Sequence, residues 1–303
     1  MSRQSSGPAS GLVLVGLVGL LVAALGAAAW STADRLVEGR AVSEGRIVAD
    51  MAETVGRWAS QYGGVHARTQ GAGAALPGSF LTRNVYAGAD GDATLLNGAK
   101  AEQRQGEREA MARIETYYWK NPALIQREVA DVLMATNSLA QYRMTARTVL
   151  NRNNAPNPFE IEAMDALQKA FKEHGAEAMG KATPLASSFS GLKTAPNEYW
   201  KIQGGQLLYA RAVIAQKSCL RCHDTPETAP EFLRVNQQFN GGGGFGYKEG
   251  QPVGVISVKL PVQTGFQAAR NSLPTLALVA LGVAALATLG LLGLSLRRRS
   301  TEA

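Results

Sequence analysis

Cysteine and histidine are scarce in this chain, two and three residues respectively out of 303. Both cysteines, Cys219 and Cys222, lie in the stretch KSCLRCHDTPE (217–227), with His223 directly behind them. A structural zinc site wants four ligands, and once these three are taken only His66, His174 or a carboxylate remains to complete it. A disulfide between cysteines so close would shut a very short loop and stabilise little. A thioredoxin-like dithiol belongs at the start of a helix in a βαβ unit, and no parallel βαβ pattern is visible. The glycine run at 241–244, in NGGGGFGYKEG, lacks the Lys-Ser/Thr ending of a phosphate loop, which removes a nucleotide site. A large charge excess is lacking too. The net +7 divides into +1 before residue 11, +2 after residue 296 and +4 between, where 27 basic residues meet 23 acidic ones. That balance gives no ground for a nucleic-acid partner.

Long uncharged runs, by contrast, are present twice. GLVLVGLVGLLVAALGAAAW covers Gly11–Trp30, and a second run extends from Asn271 to Leu296 between Arg270 and Arg297. Each is long enough to cross a bilayer as a helix. The first exceeds the apolar core of a secretory signal peptide and passes into amphipathic helix without a break, so an uncleaved anchor is expected over a cleaved signal. Arg297, Arg298 and Arg299 abut the second run, and basic flanks stay cytoplasmic. The expected order is a cytoplasmic tail (1–10), a transmembrane helix (11–30), a helical lead-in (31–62), an extracytoplasmic domain (63–265), a second transmembrane helix (271–296) and a basic cytoplasmic tail (297–303). Small residues at four-residue steps, Gly19, Ala23 and Ala27 in one run and Ala280, Ala284 and Thr288 in the other, allow close helix packing.

Between the runs, Val48, Met51, Val55, Trp58 and Tyr62 recur at the spacing of one helix face, and Gly63-Gly64 stops that helix. TQGAGAALPG reads as loop. The region from Lys100 to Ala135 reads as helix interrupted at KNPAL, where Asn121 caps a new helix with Pro122 in its first turn. After a turn at NNAPNP, Phe159 to His174 is amphipathic, with Ile161, Met164, Leu167, Gln168 and Phe171 on one side. The second half changes to strands: YWKIQGGQLLYARAVIA predicts a hairpin about Gly204-Gly205, and GVISVKLPV alternates, placing Ile256, Val258 and Leu260 on one face before Pro261 ends it. Helices first and strands later predict an α+β domain with an antiparallel sheet.

Composition alone would produce C-x-x-C-H in such a chain about once in ten thousand trials, so chance is set aside. The pattern is the attachment signature of c-type haem, in which each thiol adds to a haem vinyl group and the following histidine is the proximal iron ligand. An extracytoplasmic position suits it, because bacterial haem of this type is attached outside the cytoplasmic membrane. The expected cofactor is one haem c held covalently through Cys219 and Cys222, with His223 on its iron; a disulfide and zinc stay as alternatives. His66, in QYGGVHA, is the candidate distal ligand, against an ordinary exposed loop histidine. His174 at a helix C-terminus suits the helix dipole instead. Met51, Met134, Met144 and Met164 read as core rather than ligands. Arg211, Lys217 and Arg221 are candidate partners of the haem propionates, against simple solvation. Trp200 and Tyr209 read as pocket walls or as ordinary core.

GGVHA, NPALIQRE, NAPNPFEIEAM, SCLRCH and GYKEGQPVGVISVKLP occur in this order over roughly Arg46 to Pro261. In this combination the chain resembles a bacterial family that carries c-type haem on a PAS-like extracytoplasmic domain, domain of unknown function 3365. The resemblance implies a PAS-like antiparallel sheet flanked by helices, here set between two transmembrane helices. It implies His223 as proximal ligand and a sixth position that varies among His, Cys, Met and an exchangeable ligand. With no third cysteine, cysteine ligation is excluded here. The chain departs from the pattern at His66, where an aromatic is usual, at Asp224, where glycine is usual, and at Phe159, where tryptophan is frequent. The function expected is that of a monohaem c-type cytochrome in the bacterial inner membrane, its haem domain on the periplasmic side, acting in electron transfer or redox sensing. A haem-based redox or gas sensor subunit signalling through a separate membrane partner is the second reading, and a peroxidase-like enzyme the third. Expected partners are the membrane, redox proteins or a membrane complex, and further copies of the chain.

Overall fold

The computed structural model describes residues 8–70, 80–87, 93–94, 114–149, 154–180, 195–230 and 243–300. They fall into two compact units, one of Arg40–Pro261 and one drawn from the two ends of the chain.

Helix α1 (Pro8–Gln61) contributes its later turns to the larger unit. It ends where the glycine pair predicts: Gly63 and Gly64 take φ of +67° and +104°, and their amides return to the carbonyls of Ser60 and Ala59. A residue with a Cβ would resist this left-handed cap. The apolar stripe read from the spacing is not the buried one. Met51, Trp58 and Tyr62 are exposed, whereas Ala41, Val42, Gly45, Ala49, Ala52 and Ala59 face inward. Steric reach explains the inversion. A Cβ on Gly45 would stand only 3.2 Å from Leu207 Cδ2 and Tyr209 Cγ, and one on Gly56 would collide with the Gln126 amide. At these two positions the helix lies so near its neighbours that only a glycine fits without a shift.

Strands β1 (Val65–Gln70), β2 (Phe80–Ala87), β3 (Ala93–Thr94) and β4 (Ile114–Lys120) form an antiparallel sheet in the order β1-β4-β2-β3. The helix expected from Lys100 is thus corrected over 114–120, where IETYYWK concentrates aromatic and β-branched residues that suit a pleated surface. Residues 100–113 lie outside the described part, as do 71–78 of the expected loop, whose first two residues close β1.

Helix α2 (Pro122–Ala135) starts as predicted, Asn121 Oδ1 accepting from the Leu124 amide at 2.7 Å. Strand β5 (Gln141–Ala146) and helix α3 (Pro158–Gly180) follow. At the start of α3 the Glu160 amide donates to Asn157 Oδ1 at 2.9 Å and the Asn157 amide to Glu160 Oε2 at 2.8 Å, a reciprocal cap. Both asparagine-proline segments are therefore helix starts. The helix breaks at Gly175, φ +76° and ψ 175°, one residue after its expected end at His174.

β5 joins β6 (Glu198–Gln203), β7 (Gln206–Ile214) and β8 (Pro252–Pro261) in a second antiparallel sheet, order β5-β8-β7-β6. The fold is α+β. Gly204 and Gly205 turn the β6–β7 hairpin with φ of +60° and +70°, the backbone that two-residue hairpins favour. On one face, Ala210, Ala212 and Val255 pack with Phe159, Ala163, Met164, Leu167 and Met179 of α3. Ile161, expected on that side of α3, is 40% exposed. The opposite face carries Leu207, Tyr209 and Arg211 beside Leu260, Val258 and Ile256, and it receives α1.

Buried charge ties α1 to that face. Arg46 donates to Glu198 through Nε at 3.0 Å and Nη2 at 2.5 Å, both side chains almost wholly buried. The Tyr209 hydroxyl donates to Glu198 Oε2 at 2.8 Å and accepts from Arg211 Nε and Nη2, while Arg211 Nη1 is paired with Asp50 of α1. Two arginines and two carboxylates balance, and each charge meets an opposite one. The Glu198 hydrogen bond, working against burial, holds Arg46 above the ordinary arginine range, and burial drives the Tyr209 phenol well up.

The unit formed by the chain ends contains the start of α1, helix α5 (Gly265–Ser272) and helix α6 (Thr275–Ser300). Asp34 Oδ1 accepts from the Gly265 amide at 2.8 Å, satisfying an otherwise unpaired donor at the start of α5. Trp30 stacks on Phe266 with ring centroids 6.2 Å apart. Among the described residues one helix, α1 from Gly16, is long and apolar enough to cross a membrane; the apolar stretch Thr275–Gly290 of α6 is shorter.

Removing one partner of a buried pair strands the other, so Glu198→Ala should lower the unfolding free energy by about 3–5 kcal/mol. Glu53→Ala, which breaks the exposed pair with Arg57, should cost less than about 1 kcal/mol. Urea unfolding of the full chain in detergent reads both.

Candidate functional site

The cysteine cluster folds as helix α4 (Lys217–His223), the direct continuation of β7. Its entry is pinned by two backbone bonds at 2.9 Å, Ala215 N–H to Gln251 O and Gly250 N–H to Ala215 O. The Cys219 amide then closes on Gln216 O at 2.8 Å. Cys219, Cys222 and His223 stand at i, i+3 and i+4, so they share one side of the helix. The two thiols are half-buried, and no disulfide joins them. Burial is the main cause that raises the Cys222 thiol above its ordinary value, with Arg221 acting the other way.

His223 is held from outside its own helix. Its Nδ1 lies 2.6 Å from the Gly244 carbonyl. A carbonyl only accepts, so Nδ1 carries the proton and Nε2 keeps a free lone pair. Burial lowers the imidazole's affinity for a second proton, which leaves the ring neutral and Nε2 available as a base or metal ligand. The Tyr247 ring stacks on the imidazole at 4.7 Å and 14°. Backbone bonds complete the clamp, Tyr247 N–H to His223 O at 3.0 Å and Gly246 N–H to Asp224 O at 2.7 Å. Gly244 and Gly246 adopt φ of +89° and +80°, so the glycine-rich loop serves to turn a carbonyl onto His223. Neither Gly244 nor Tyr247 is singled out by reasoning on the cysteine cluster. The signal was the position of GYKEG directly before a strand that pairs with the one leading into α4.

The remaining predicted residues are dispersed. Lys217 and Arg221 are exposed on α4. Arg221 reaches toward the end of α1, where a Cβ on Gly63 would lie 3.8 Å from its Nη1. Arg211 is 4% exposed and engaged by Asp50 and Tyr209 within the sheet. Tyr209 lies fully buried beside α1, and Trp200 faces it across the hairpin register. The backbone of His66 belongs to β1, opposite Trp119; its side chain lies outside the described residues. His174 is exposed. Of the methionines expected in the core, Met164 is buried, whereas Met51 and Met134 are exposed because they sit on the outer sides of α1 and α2. Among the described residues no three His, Cys, Asp or Glu side chains gather about a point where a metal ion would be held.

A model of the family described as Tll0287-like matches residues 35–261. The chain belongs to the Tll0287-like family. The match takes in every strand of both sheets and helix α4. Among solved structures, the crystal structure of the cyanobacterial heme-protein Tll0287 is similar, with 22% identity over 47% of this chain and 73% of that one and a TM-score of 0.34. No curated protein matches.

Burial pushes the Tyr247 phenol up to about 12, above the ordinary value near 10. Its contribution to stability is therefore whole below about pH 10 and falls as pH rises toward 12, where the unfolded chain ionises first. Tyr247→Phe should flatten that alkaline loss, measured as melting temperature against pH.

Proposed function

We propose that the chain is a membrane-anchored c-type cytochrome whose single haem is attached through Cys219 and Cys222 and ligated by His223. One observation carries the reading: the Gly244 carbonyl occupies Nδ1 of a half-buried, neutral His223 and leaves Nε2 free, the arrangement that orients histidine as a metal ligand. The donor set suits the group. Two unjoined thiols stand one helical turn apart on the side that bears the imidazole. That the namesake of the family is a cyanobacterial heme-protein adds to this.

In this reading the haem supplies a one-electron iron couple. Cys219 and Cys222 hold it by thioether bonds, which fixes it against loss. The carbonyl of Gly244 sets the tilt of the imidazole and, by hydrogen bonding Nδ1–H, makes Nε2 a stronger donor to iron, which favours the oxidised state. Tyr247 covers one side of the ring and limits water there. Lys217 and Arg221, exposed on α4, offer cations to the propionates. Arg211 is less suited, since its guanidinium already serves Asp50 and Tyr209. His66, three residues beyond Gly63, is the proposed distal ligand.

The apolar start of α1 supports a membrane anchor, with α6 as the second span and the domain outside the cytoplasm. The antiparallel second sheet, with helices on both faces, supports the PAS-like reading. A haem held by Cys219, Cys222 and His223 would supply the electron transfer or redox sensing proposed here. A sensor subunit acting through a separate partner is favoured to the extent that α1 links the membrane segment to the sheet bearing α4.

From cells competent in cytochrome c maturation, the wild-type band on a denaturing gel should stain for haem, and Cys219→Ala/Cys222→Ala should not. A wild-type band without stain would overturn the assignment. For the distal side, His66→Ala should convert a low-spin visible spectrum to high-spin and admit carbon monoxide to the reduced protein; an unchanged spectrum would remove His66 as ligand.

A further inference from the structure

His223 is the last residue of α4, a helix of seven residues. A helix that short is marginal by itself, and its final carbonyls have no partner within it. The helix alone cannot hold the imidazole still. The Gly244 carbonyl, 2.6 Å from Nδ1, fixes where one ring atom points, yet the χ2 torsion of histidine is broad and leaves the ring free to pivot about that bond. What stops the pivot lies on the face of the ring. Tyr247 stands there, half-buried, its centroid 4.7 Å from that of the imidazole and its plane 14° from parallel.

The tyrosine is placed without help from the imidazole. Its amide donates to His223 O at 3.0 Å and the Gly246 amide to Asp224 O at 2.7 Å, so carbonyls at the end of α4 hold the turn that carries the ring. Earlier in the same loop, Gly243 sits where a Cβ would come 2.9 Å from Val149 O and 3.1 Å from Val149 N. The loop is thus seated against backbone that follows β5, and backbone gives way less readily than a side chain. We propose that Tyr247 is a positioning residue: with Gly244 O it grips His223 at two points, and its ring, not its hydroxyl, sets the plane of the imidazole. The consequence for iron rests on the haem reading above. The plane in which an imidazole lies across a haem governs the splitting of the iron orbitals, and the donor strength of Nε2 depends on the Nδ1–H bond staying made. The grip itself does not depend on haem.

Full-length protein in detergent, isotope-labelled at the nitrogens of its three histidines, tests the inference by nuclear magnetic resonance. In chain produced without cytochrome c maturation, wild type and Tyr247→Phe should show the Nδ1–H signal of His223, assigned by its absence from His223→Gln. Tyr247→Leu and Tyr247→Met, which fill the space without a flat ring, should lose that signal while their circular dichroism stays that of the wild type. In haem-loaded protein, wild type and Tyr247→Phe should share one ferric paramagnetic resonance spectrum. The leucine and methionine variants should shift its g values and raise the reduction potential, because Nε2 becomes a weaker donor. An Nδ1–H signal that persists in a folded leucine or methionine variant would sink the inference, as would its equal loss in Tyr247→Phe, which would make the hydroxyl the acting group. A chain that keeps this pattern of signals but takes up no haem refutes the cofactor reading and leaves the grip supported, so the two fail separately.

Discussion

The attachment of α1 to the second sheet is the constraint on which the larger unit depends. It has two parts that require each other. Gly45, Ala49 and Ala52 let the helix approach closely, and closeness brings Arg46 within reach of Glu198 and Asp50 within reach of Arg211. Without the small residues Glu198 and Arg211 would lack these partners inside the sheet, at a cost of several kcal/mol. Without the charges, a helix face of alanine and glycine would have little apolar area with which to hold its position. Tyr209 lies at the crossing and serves both parts, its ring under Gly45 and its hydroxyl between Glu198 and Arg211.

The same sheet builds the candidate site from its other end. Strand β7 passes from the buried charges at Tyr209 and Arg211 into helix α4 without a long connection. Strand β8, paired with β7 over its whole length, is preceded by the glycine turn that places Gly244 O against His223. The imidazole is thus oriented by residues about twenty positions away. That is the physical advantage of a sheet neighbour as support: register, once set, positions both the helix and the loop that holds its histidine. Proton position and ring tilt follow from one carbonyl, so the ligand character proposed for His223 belongs to the fold as much as to the motif.

Much of the architecture was legible because short-range rules decide it. Asn121-Pro122 and Asn157-Pro158 announce helix starts through side-chain capping that involves only the next three residues. Gly63-Gly64 and Gly204-Gly205 announce a helix end and a hairpin through φ values that other residues avoid. Ile256, Val258 and Leu260 declare a strand face by alternation. The reading failed where two tendencies compete. IETYYWK sits in a region of helical composition, and pairing with β1 and β2 makes it a strand. Val48, Met51, Val55, Trp58 and Tyr62 have the spacing of a buried face, yet the helix turns its smallest residues inward.

Sequence alone determined several helix ends, the β6–β7 hairpin, the strand face of β8, the apolar segments and the cluster of Cys219, Cys222 and His223, because each depends on residue type and local spacing. Only the tertiary structure decided which side of α1 is buried, that Arg46 and Glu198 pair inside the protein, and what orients His223. Those outcomes depend on how near two distant segments come, and hydrophobic periodicity cannot report that distance. A stripe of large apolar residues has the same spacing on a helix whether or not it is the buried side. The geometry of Gly45 against Tyr209 decides it here.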